Sequence, residues 1–343
     1  MIRPVAVLLI ALLAGVASAD DDPHRWLDDM NRAFAELSYD GIASHYSGQE
    51  LATLRIVHMV VDGEQRERLV HLNGAPRQIV RRGKEIVCMV APGDALLALG
   101  DSMTSGPFAG AFVRRYDGLS ELYGLSFFGE DRVADRAAVR LAVMPHDEHR
   151  YGYRLWLDRE TRLLLRSELI DADGNRLEIF QFNQIVIGDA VDPGALEADD
   201  ADGTLVSQLT LATEDPQPVG RQDVDWQAGW LPDGFALAGA DVRTARGSDR
   251  PVTRMLYSDG LAAFSLFIEA LPEPDVTPME SRDGATVAVA HLLAGDTDQA
   301  EQANDAGLAA LHVRPPHLVT VVGEIPVLTA RRIAESIRPR PGS

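Results

Sequence analysis

Residues 151–182 read YGYRLWLDRETRLLLRSELIDADGNRLEIFQF, three apolar-rich runs separated by two polar segments. The runs are short and mix apolar with polar side chains at a period near two, which is typical of strands with one buried face. The polar segments, residues 158–161 and 171–175, both begin with Asp, and the second continues Ala-Asp-Gly-Asn, a composition that favours tight turns. Three strands joined by tight turns predict an antiparallel meander.

The chain before this meander predicts one helix followed by further strands. Apolar residues recur at helical spacing between residues 22 and 37, from Trp26 to Leu37. Beyond residue 38 the period changes to two, and turn dipeptides such as Asp62-Gly63 separate the runs. Because no helix-length segments alternate with these strands, a parallel βαβ arrangement is disfavoured. The predicted strands are residues 39–46, 53–61, 67–72, 77–82 and 85–90.

After the meander, Asp, Glu, Gly and Pro dominate residues 191–222, which predicts an acidic linker interrupted by a short strand near residues 205–211. A second, smaller unit is predicted for residues 223–340. Its elements are a hairpin that turns at residues 258–260, strands at 287–293 and 317–322, and a last helix over 326–337. The fold class predicted is α+β and mostly antiparallel, with a large domain at residues 20–190 and a small C-terminal domain.

The first nineteen residues predict export. Arg3 gives a positively charged start, residues 5–16 are largely apolar, and Ala17-Ser18-Ala19 has the small residues that signal peptidase requires. A membrane-spanning helix needs roughly 20 apolar residues, so an uncleaved anchor is disfavoured. The sequence therefore predicts a cleaved signal peptide at residues 1–19, cleavage between Ala19 and Asp20, and a periplasmic location.

Composition excludes some functions. The net charge of −20 argues against nucleic acid as a partner, since Lys and Arg supply most of that affinity. A hydrophobic content of 46% is sufficient for well-packed cores. The single cysteine, Cys88, cannot form an internal disulfide, and its apolar neighbours predict a buried thiol.

Motifs of catalysis are not found. The sequence has no phosphate-binding glycine loop and no nucleophile elbow, so we predict a protein without enzymatic activity, cofactor or metal. Two histidines in the segment His146-Asp-Glu-His149 have a spacing that a metal could use, but a solvated hairpin tip explains them as well. The segment at 171–175 resembles the start of a calcium loop, although its Gly comes too early and a β-turn is the better interpretation.

Two groups of residues favour binding. Aromatic side chains on the strands could hold a lipid chain on a curved sheet, although an ordinary closed core explains them equally well. Arginines could receive phosphate or carboxylate groups, with a solvated strand face as the alternative. The candidate lipid-binding residues are Phe127, Phe128, Trp156, Phe180 and Phe182, and the candidate anion-binding residues are Arg77, Arg81, Arg82, Arg114 and Arg115.

The sequence resembles the RseB/MucB family of periplasmic negative regulators of the sigma-E (AlgU-type) envelope-stress factor. In the larger unit the likeness lies in residues 129–136, 144–147, 150–158 and 161–166. In the smaller unit it lies in Trp230-Leu-Pro-Asp-Gly-Phe235, Leu256-Tyr-Ser-Asp-Gly-Leu261 and Thr320-Val-Val-Gly-Glu-Ile-Pro326. These segments occur in the same order and with similar spacing from about Trp26 to Ile337.

The resemblance implies a mechanism. Members bind the periplasmic domain of a single-pass anti-sigma factor (RseA/MucA type) and protect it from regulated proteolysis. It also implies that the large domain is a LolA/LolB-like half-barrel with a helix across its mouth, which senses lipid, lipoprotein or lipopolysaccharide. The smaller domain would bind the partner, and the residues predicted for that contact are Leu256, Tyr257, Asp259, Gly260 and Leu261.

Two other functions stay open at this point. A lipoprotein or lipid carrier of the LolA/LolB type would use the same half-barrel, but it would not need the smaller domain. A periplasmic hydrolase is disfavoured by the missing catalytic motifs. Whether the protein forms a homo-oligomer is also open.

Overall fold

The computed structural model describes residues 22–83, 85–90, 119–197, 207–212, 224–244, 250–271, 279–294 and 315–340. The predicted signal peptide, Arg114 and Arg115 lie outside these ranges, as does most of the acidic connection. The described residues form two domains, each built on one antiparallel sheet. This confirms the predicted class, α+β and mostly antiparallel. Within these ranges no helix is both long enough and apolar enough to span a membrane.

The larger sheet has eleven strands, all paired antiparallel. It is open, because β11 at one edge and β6 at the other are not paired with each other. Its order is β11-β5-β4-β3-β2-β1-β10-β9-β8-β7-β6. The strands are β1 Tyr39–Ser47, β2 Glu50–Val61, β3 Glu64–His71, β4 Arg77–Arg82, β5 Glu85–Val90, β6 Tyr123–Val133, β7 Arg136–Pro145, β8 Gly152–Asp158, β9 Leu164–Ile170, β10 Arg176–Ile187 and β11 Ser207–Ala212.

Helix α1, Pro23–Glu36, packs its apolar side on one face of this sheet, which we call the inner face. The Asp22 carboxylate accepts a hydrogen bond from the backbone N–H of His24, and Pro23 occupies the first turn, where a missing N–H costs nothing. Trp26 and Met30 are buried in the cluster that covers the inner face. Burial of each such side chain contributes roughly 1.5–3 kcal/mol, so the amphipathic pattern holds the helix on the sheet.

A glycine in β1 gives the inner face its shape. Gly41 has no side chain where the ring of Phe182 crosses the strand, and a Cβ there would lie 2.6 Å from that ring. The Phe182 ring can therefore approach β1 closely, and it packs edge-to-face with Tyr39 at 6.2 Å between ring centroids. The Gly at this position therefore serves packing rather than a turn.

The predicted meander is confirmed as β8, β9 and β10. In the second turn, Asp171 accepts hydrogen bonds from the backbone of Asp173 and Asn175, and Gly174 has a φ of +81°. The backbone N–H of Gly174 also donates to the carbonyl oxygen of Asp171, so residues 171–174 form the predicted β-turn. Cys88 is buried as predicted, and burial raises the pKa of its thiol.

Strands β6 and β7 were not predicted, and the sequence of β6 explains why that strand was missed. A register shift between Phe127 and Gly129 interrupts the alternation in β6. The second half of that strand, Gly-Glu-Asp-Arg, is polar and largely exposed, so it lacks an apolar pattern. The short strand predicted near residues 205–211 in the acidic connection is confirmed as β11, which pairs with β5 at the edge of the large sheet.

The smaller sheet has six strands in the order β13-β14-β15-β18-β17-β16. Helix α3, Val327–Ser336, packs on it through Ala330 and Ile333, and a separate two-stranded pair, β12 with β19, adds Trp226 and Ile337 to the same core. The remaining elements are α2 Leu119–Leu122 in the large domain, and β12 Trp226–Ala228, β13 Ala236–Thr244, β14 Pro251–Ser258, β15 Ala263–Ala270, β16 Glu280–Asp283, β17 Thr286–Leu293, β18 His317–Gly323 and β19 Ile337–Pro339 in the small domain.

Candidate functional site at the domain interface

The two domains are joined by a buried network of charged groups, which we call the interdomain ion-pair network. Its centre is Arg150, whose side chain is fully buried at 0% exposure. Arg150 comes from the loop between β7 and β8 and makes a 2.6 Å ion pair with Asp259 of the small domain, also 0% exposed. Its Nη2 donates to Asp147 at 2.9 Å and to the carbonyl oxygen of Asp233 at 2.6 Å, and its Nε donates to Asp147 at 3.1 Å. Tyr123 completes the network by donating from its hydroxyl to Asp259 at 2.9 Å.

Local structure fixes the geometry of Asp259. Its second carboxylate oxygen accepts hydrogen bonds from the backbone N–H groups of Leu261 and Ala262, at 2.9 and 2.7 Å. These bonds hold the carboxylate at the turn between β14 and β15. Burial, together with the charge of Asp259, raises the pKa of Tyr123, so its hydroxyl stays protonated and donates. One oxygen of the Asp259 carboxylate is therefore bonded to the large domain, through Arg150 and Tyr123, and the other is bonded to the backbone of the small domain.

Such a network has a definite energetic consequence. Charges that leave water lose several kcal/mol of hydration each, and only close, hydrogen-bonded partners offset that loss. Separation of the domains would leave Arg150 with Asp147 alone and Asp259 with backbone donors alone. The network therefore specifies one docked arrangement of the two domains.

Apolar contacts surround the network. Leu261 from the small domain is buried in the same cluster as Tyr123 and the inner face of the large sheet. Gly234 in the small domain, with a φ of +84°, lies so close to Leu122 that a Cβ would be 2.4 Å from it. His149 adds a 3.3 Å contact between its Nδ1 and the Thr329 hydroxyl. The inner face and the domain interface thus form one continuous core.

A second contact between the domains lies near the start of β10, at Glu178. Glu178 of the large domain accepts a hydrogen bond from the Ser47 hydroxyl at 3.0 Å and lies 3.6 Å from His45. It also accepts from the backbone N–H of Ala285, at 3.4 Å, in the turn between β16 and β17 of the small domain. Ala285 is fully buried in the large-domain cluster. Glu178 therefore connects the two domains independently of Arg150.

The pKa values of two glutamates at this second contact move in opposite directions. Burial would raise the pKa of Glu178, but the nearby His45 imidazole and the hydrogen bond from Ser47 outweigh it and hold the pKa below its usual range. Glu324, which follows β18 in the small domain, has its pKa raised from 4.5 to about 7, first by burial and then by the charge of Glu178. At neutral pH the contact thus combines an ionised Glu178 with a Glu324 that is partly protonated.

We expect this pair to make the stability of the protein depend on pH. The pKa of Glu324 is 4.5 in the unfolded chain and about 7 in the folded protein. Its contribution to folding stability is therefore fully present below pH 4.5 and is lost as the pH rises through about 7, because only the unfolded chain gives up the proton easily in between. The loss is at most about 3 kcal/mol. In Glu324→Gln, the free energy of unfolding by urea should therefore fall less between pH 5 and pH 8 than in the parent protein.

The matched control for this prediction is Glu335→Gln, which removes an exposed carboxyl from α3. It should leave the difference between pH 5 and pH 8 unchanged. If Glu324→Gln retains the full pH dependence of the parent, the pair does not control it.

The aromatic residues predicted to bind lipid do not form one group. Phe180 and Phe182 lie on the inner face, 5.1 Å apart between ring centroids, and Phe127 packs against the same cluster. Phe128 and Trp156 lie on the opposite, outer face, 5.8 Å apart, in a separate cluster. Any ligand on the inner face can therefore contact only the first three, and lipid binding by these residues stays a prediction.

The arginines predicted to bind anions are also divided. Arg77 and Arg81 lie on one face of β4, whereas Arg82 is on the other face and exposed. Arg81 has a 3.9 Å ion pair with Glu67. Arg114 and Arg115 lie outside the described residues. The prediction of an anion site at these residues stays untested.

The residues predicted to contact a partner occupy the interface instead. Asp259 pairs with Arg150, and Leu261 is buried against the large domain. Tyr257 is buried in the small-domain core, stacked on Phe264 at 5.1 Å. Leu256 and Gly260 of the same hairpin are half-buried. A partner could contact Asp259 or Leu261 only after the domains separate, so their role in partner binding stays a prediction.

Residues 146–149 belong to the loop of the β7–β8 hairpin, as predicted, and His146 and Glu148 are exposed, but the segment is not solvated throughout. His149 packs on Trp230 of the small domain at 5.2 Å between ring centroids, and Asp147 pairs with the buried Arg150. The described residues bring no group of three or more His, Cys, Asp or Glu together in a way that could hold a metal. The segment is an element of the domain interface.

The fold and the interface define a class of protein: a two-domain protein in which an open antiparallel sheet, with a helix on its inner face, is docked on a smaller α+β domain by buried ion pairs. The chain belongs to the MucB/RseB family. Residues 22–200 match the model of the MucB/RseB N-terminal domain, and residues 220–338 match that of the MucB/RseB C-terminal domain.

Individual relatives agree with this assignment. The chain is 37% identical to the sigma factor AlgU regulatory protein MucB of Pseudomonas aeruginosa, over 97% of this chain and 96% of that protein. It is 29% identical to the sigma-E factor regulatory protein RseB of Escherichia coli, over 95% of this chain and 94% of that protein. The solved complex of Pseudomonas aeruginosa MucA and MucB matches with a TM-score of 0.72 at 35% identity, over 94% of this chain and 100% of the matched one.

Proposed function

We propose that this protein is a periplasmic regulator that binds the periplasmic domain of an anti-sigma factor and represses an envelope-stress sigma factor by protecting that anti-sigma factor from proteolysis. The observation that carries the proposal is the similarity to MucB along both domains, together with the MucA/MucB complex. The relatives are named as sigma factor regulatory proteins, which supports a role in binding rather than catalysis.

We further propose that an apolar ligand on the inner face controls partner binding. Tyr123 supports this idea, since it belongs to the inner-face cluster and also donates to Asp259 across the interface. Leu261 joins the same cluster from the small domain. A ligand that inserts between α1 and the sheet would move these two side chains, and so would bind one arrangement of the domains better than the other. That difference in affinity is what couples a ligand to a partner.

The test uses the purified chain without residues 1–19 and the periplasmic segment of the anti-sigma factor from the same cell. Calorimetry should detect a complex, and lipopolysaccharide should weaken it. Complete absence of binding would refute the regulator, and lipid binding without anti-sigma binding would favour a lipid carrier.

Two adjacent residues provide a matched pair for the lipid part of the proposal. Phe127 lies on the inner face and Phe128 on the outer face, and both are half-buried. Phe127→Ala should reduce the effect of lipopolysaccharide on the complex, whereas Phe128→Ala should not. Equal effects of the two substitutions would place the lipid elsewhere.

A further inference from the structure

The outer face of the large sheet has a cluster of arginines around one carboxylate. Glu168 on β9 has a side chain only 1% exposed, and it lies within ion-pair distance of three guanidinium groups. Arg154 on β8 is at 3.8 Å, Arg176 on β10 is at 3.1 Å, and Arg166 on β9 is in direct contact. Three positive charges face this carboxylate, and Asp131 also interacts with Arg166, so the cluster has an excess of about one positive charge in a chain whose net charge is −20.

Several guanidinium donors in this cluster have no partner within the described part of the chain. The Nε of Arg166 is buried without a hydrogen-bond acceptor, whereas its Nη1 donates to Gln181 at 3.0 Å and its guanidinium lies over the ring of Trp156 at 4.7 Å. Arg154 is too far from Glu168 for a hydrogen bond, and its side chain is 36% exposed. Arg176 is 56% exposed. The cluster therefore presents N–H donors to the surface, where an oxyanion could accept them.

Apolar side chains continue the same row across the sheet. The register aligns Arg154 with Glu168, Glu168 with Ile179, Ile179 with Tyr46, and Tyr46 with Leu51. Directly paired residues point to the same face, and neighbouring strands are about 4.8 Å apart. Tyr46 is 41% exposed and Leu51 is 60% exposed. Along this line Arg154 thus lies roughly 14 Å from Tyr46 and roughly 19 Å from Leu51.

We propose that this outer face, formed by Arg154, Arg166, Arg176, Tyr46 and Leu51, binds the surface of an anionic bilayer through the phosphate groups of its lipids. Charge complementarity favours phosphate, and the neighbouring apolar side chains favour a lipid over a soluble anion, since Tyr and Leu can enter the headgroup region. The acidic remainder of the protein would then face away from the bilayer. This surface is separate from the inner face and does not depend on the partner proposed above.

The experiment measures co-sedimentation of the chain lacking residues 1–19 with vesicles of equal parts phosphatidylglycerol and phosphatidylcholine, and with vesicles of phosphatidylcholine alone. We expect binding to the first and at least tenfold weaker binding to the second. Each cation near such a surface contributes roughly a fivefold gain in affinity. Arg154→Gln together with Arg176→Gln should therefore weaken binding to the anionic vesicles roughly 30-fold. Tyr46→Ser with Leu51→Ser should also weaken it.

The matched control is Arg250→Gln with Arg331→Gln, which removes the same charge from two part-exposed arginines of the small domain. It should change vesicle binding less than twofold, and thermal unfolding should verify that every variant folds. The proposal is overturned if the protein does not bind anionic vesicles, or if the Arg154 and Arg176 double variant binds them with the affinity of the parent protein. It is also overturned if millimolar inorganic phosphate displaces the vesicles while the Tyr46 and Leu51 variant keeps full affinity, because the site would then hold a soluble anion.

Discussion

Arg150→Ala is expected to cost about 3–5 kcal/mol of unfolding free energy and to separate the two domains. The substitution leaves Asp147 and Asp259 at the interface without their cation, and Asp259 is fully buried. Removal of one member of a buried pair is strongly destabilising, because the remaining charge has lost its hydration and has no opposite charge beside it. Urea unfolding would give the energy, and small-angle X-ray scattering would show a larger radius of gyration.

The matched control is Arg254→Ala. Arg254 also pairs with an aspartate, Asp241, at 2.6 Å, but both groups belong to the small domain and are partly exposed. Its loss should cost about 1 kcal/mol or less and leave the scattering profile unchanged. If Arg150→Ala behaves like Arg254→Ala in both measurements, the interdomain ion-pair network does not hold the domains together.

Leu261→Ala is expected to cost about 2–5 kcal/mol, the second large effect. Leu261 crosses from the small domain into the cluster of the large domain and is only 4% exposed. Truncation therefore removes apolar contacts and leaves a cavity in a place where neither sheet can easily close it. Unfolding by urea, followed by tryptophan fluorescence, would measure the loss.

A residue of the same hairpin provides the comparison. Leu256 is half-buried on β14, on the face opposite the buried Met255 and Tyr257. Leu256→Ala should cost less than half as much as Leu261→Ala, because its side chain shields less area from water. Equal losses would mean that the hairpin is stabilised within its own sheet and that the contact with the large domain adds little.

The elements that could be predicted from sequence are those with a regular period. Helix α1 and the strands from β1 to β5 follow apolar spacing closely, and the meander follows its turns. Strand β13 was not predicted because its Ala-Leu-Ala-Gly-Ala start carries small side chains with little contrast between faces. In β6 the register shift after Phe127 interrupts the alternation of apolar and polar residues, so that strand could not be predicted either.

The interface could not be predicted, for a different reason. Arg150 stands in a polar stretch next to Pro145 and two histidines, and that composition is the same in a solvated loop. Its burial depends on Asp259, more than one hundred residues away in sequence. The only sequence signal was the resemblance, since Asp147, Arg150 and Asp259 all fall in segments that resemble the family. Periodicity describes one element at a time, whereas this site is made by a contact between elements.

The position of strand β11 limits how far the two domains can move apart. Because residues 207–212 are paired at the edge of the large sheet, only the eleven residues 213–223 join that sheet to Val224. A chain of that length spans at most about 40 Å when fully extended. A covalent connection of at most that length keeps the separated domains at an effective concentration of roughly millimolar. Release of the interface is therefore a local, readily reversed event, and a molecule that competes for the exposed surfaces must bind faster than the tether restores them.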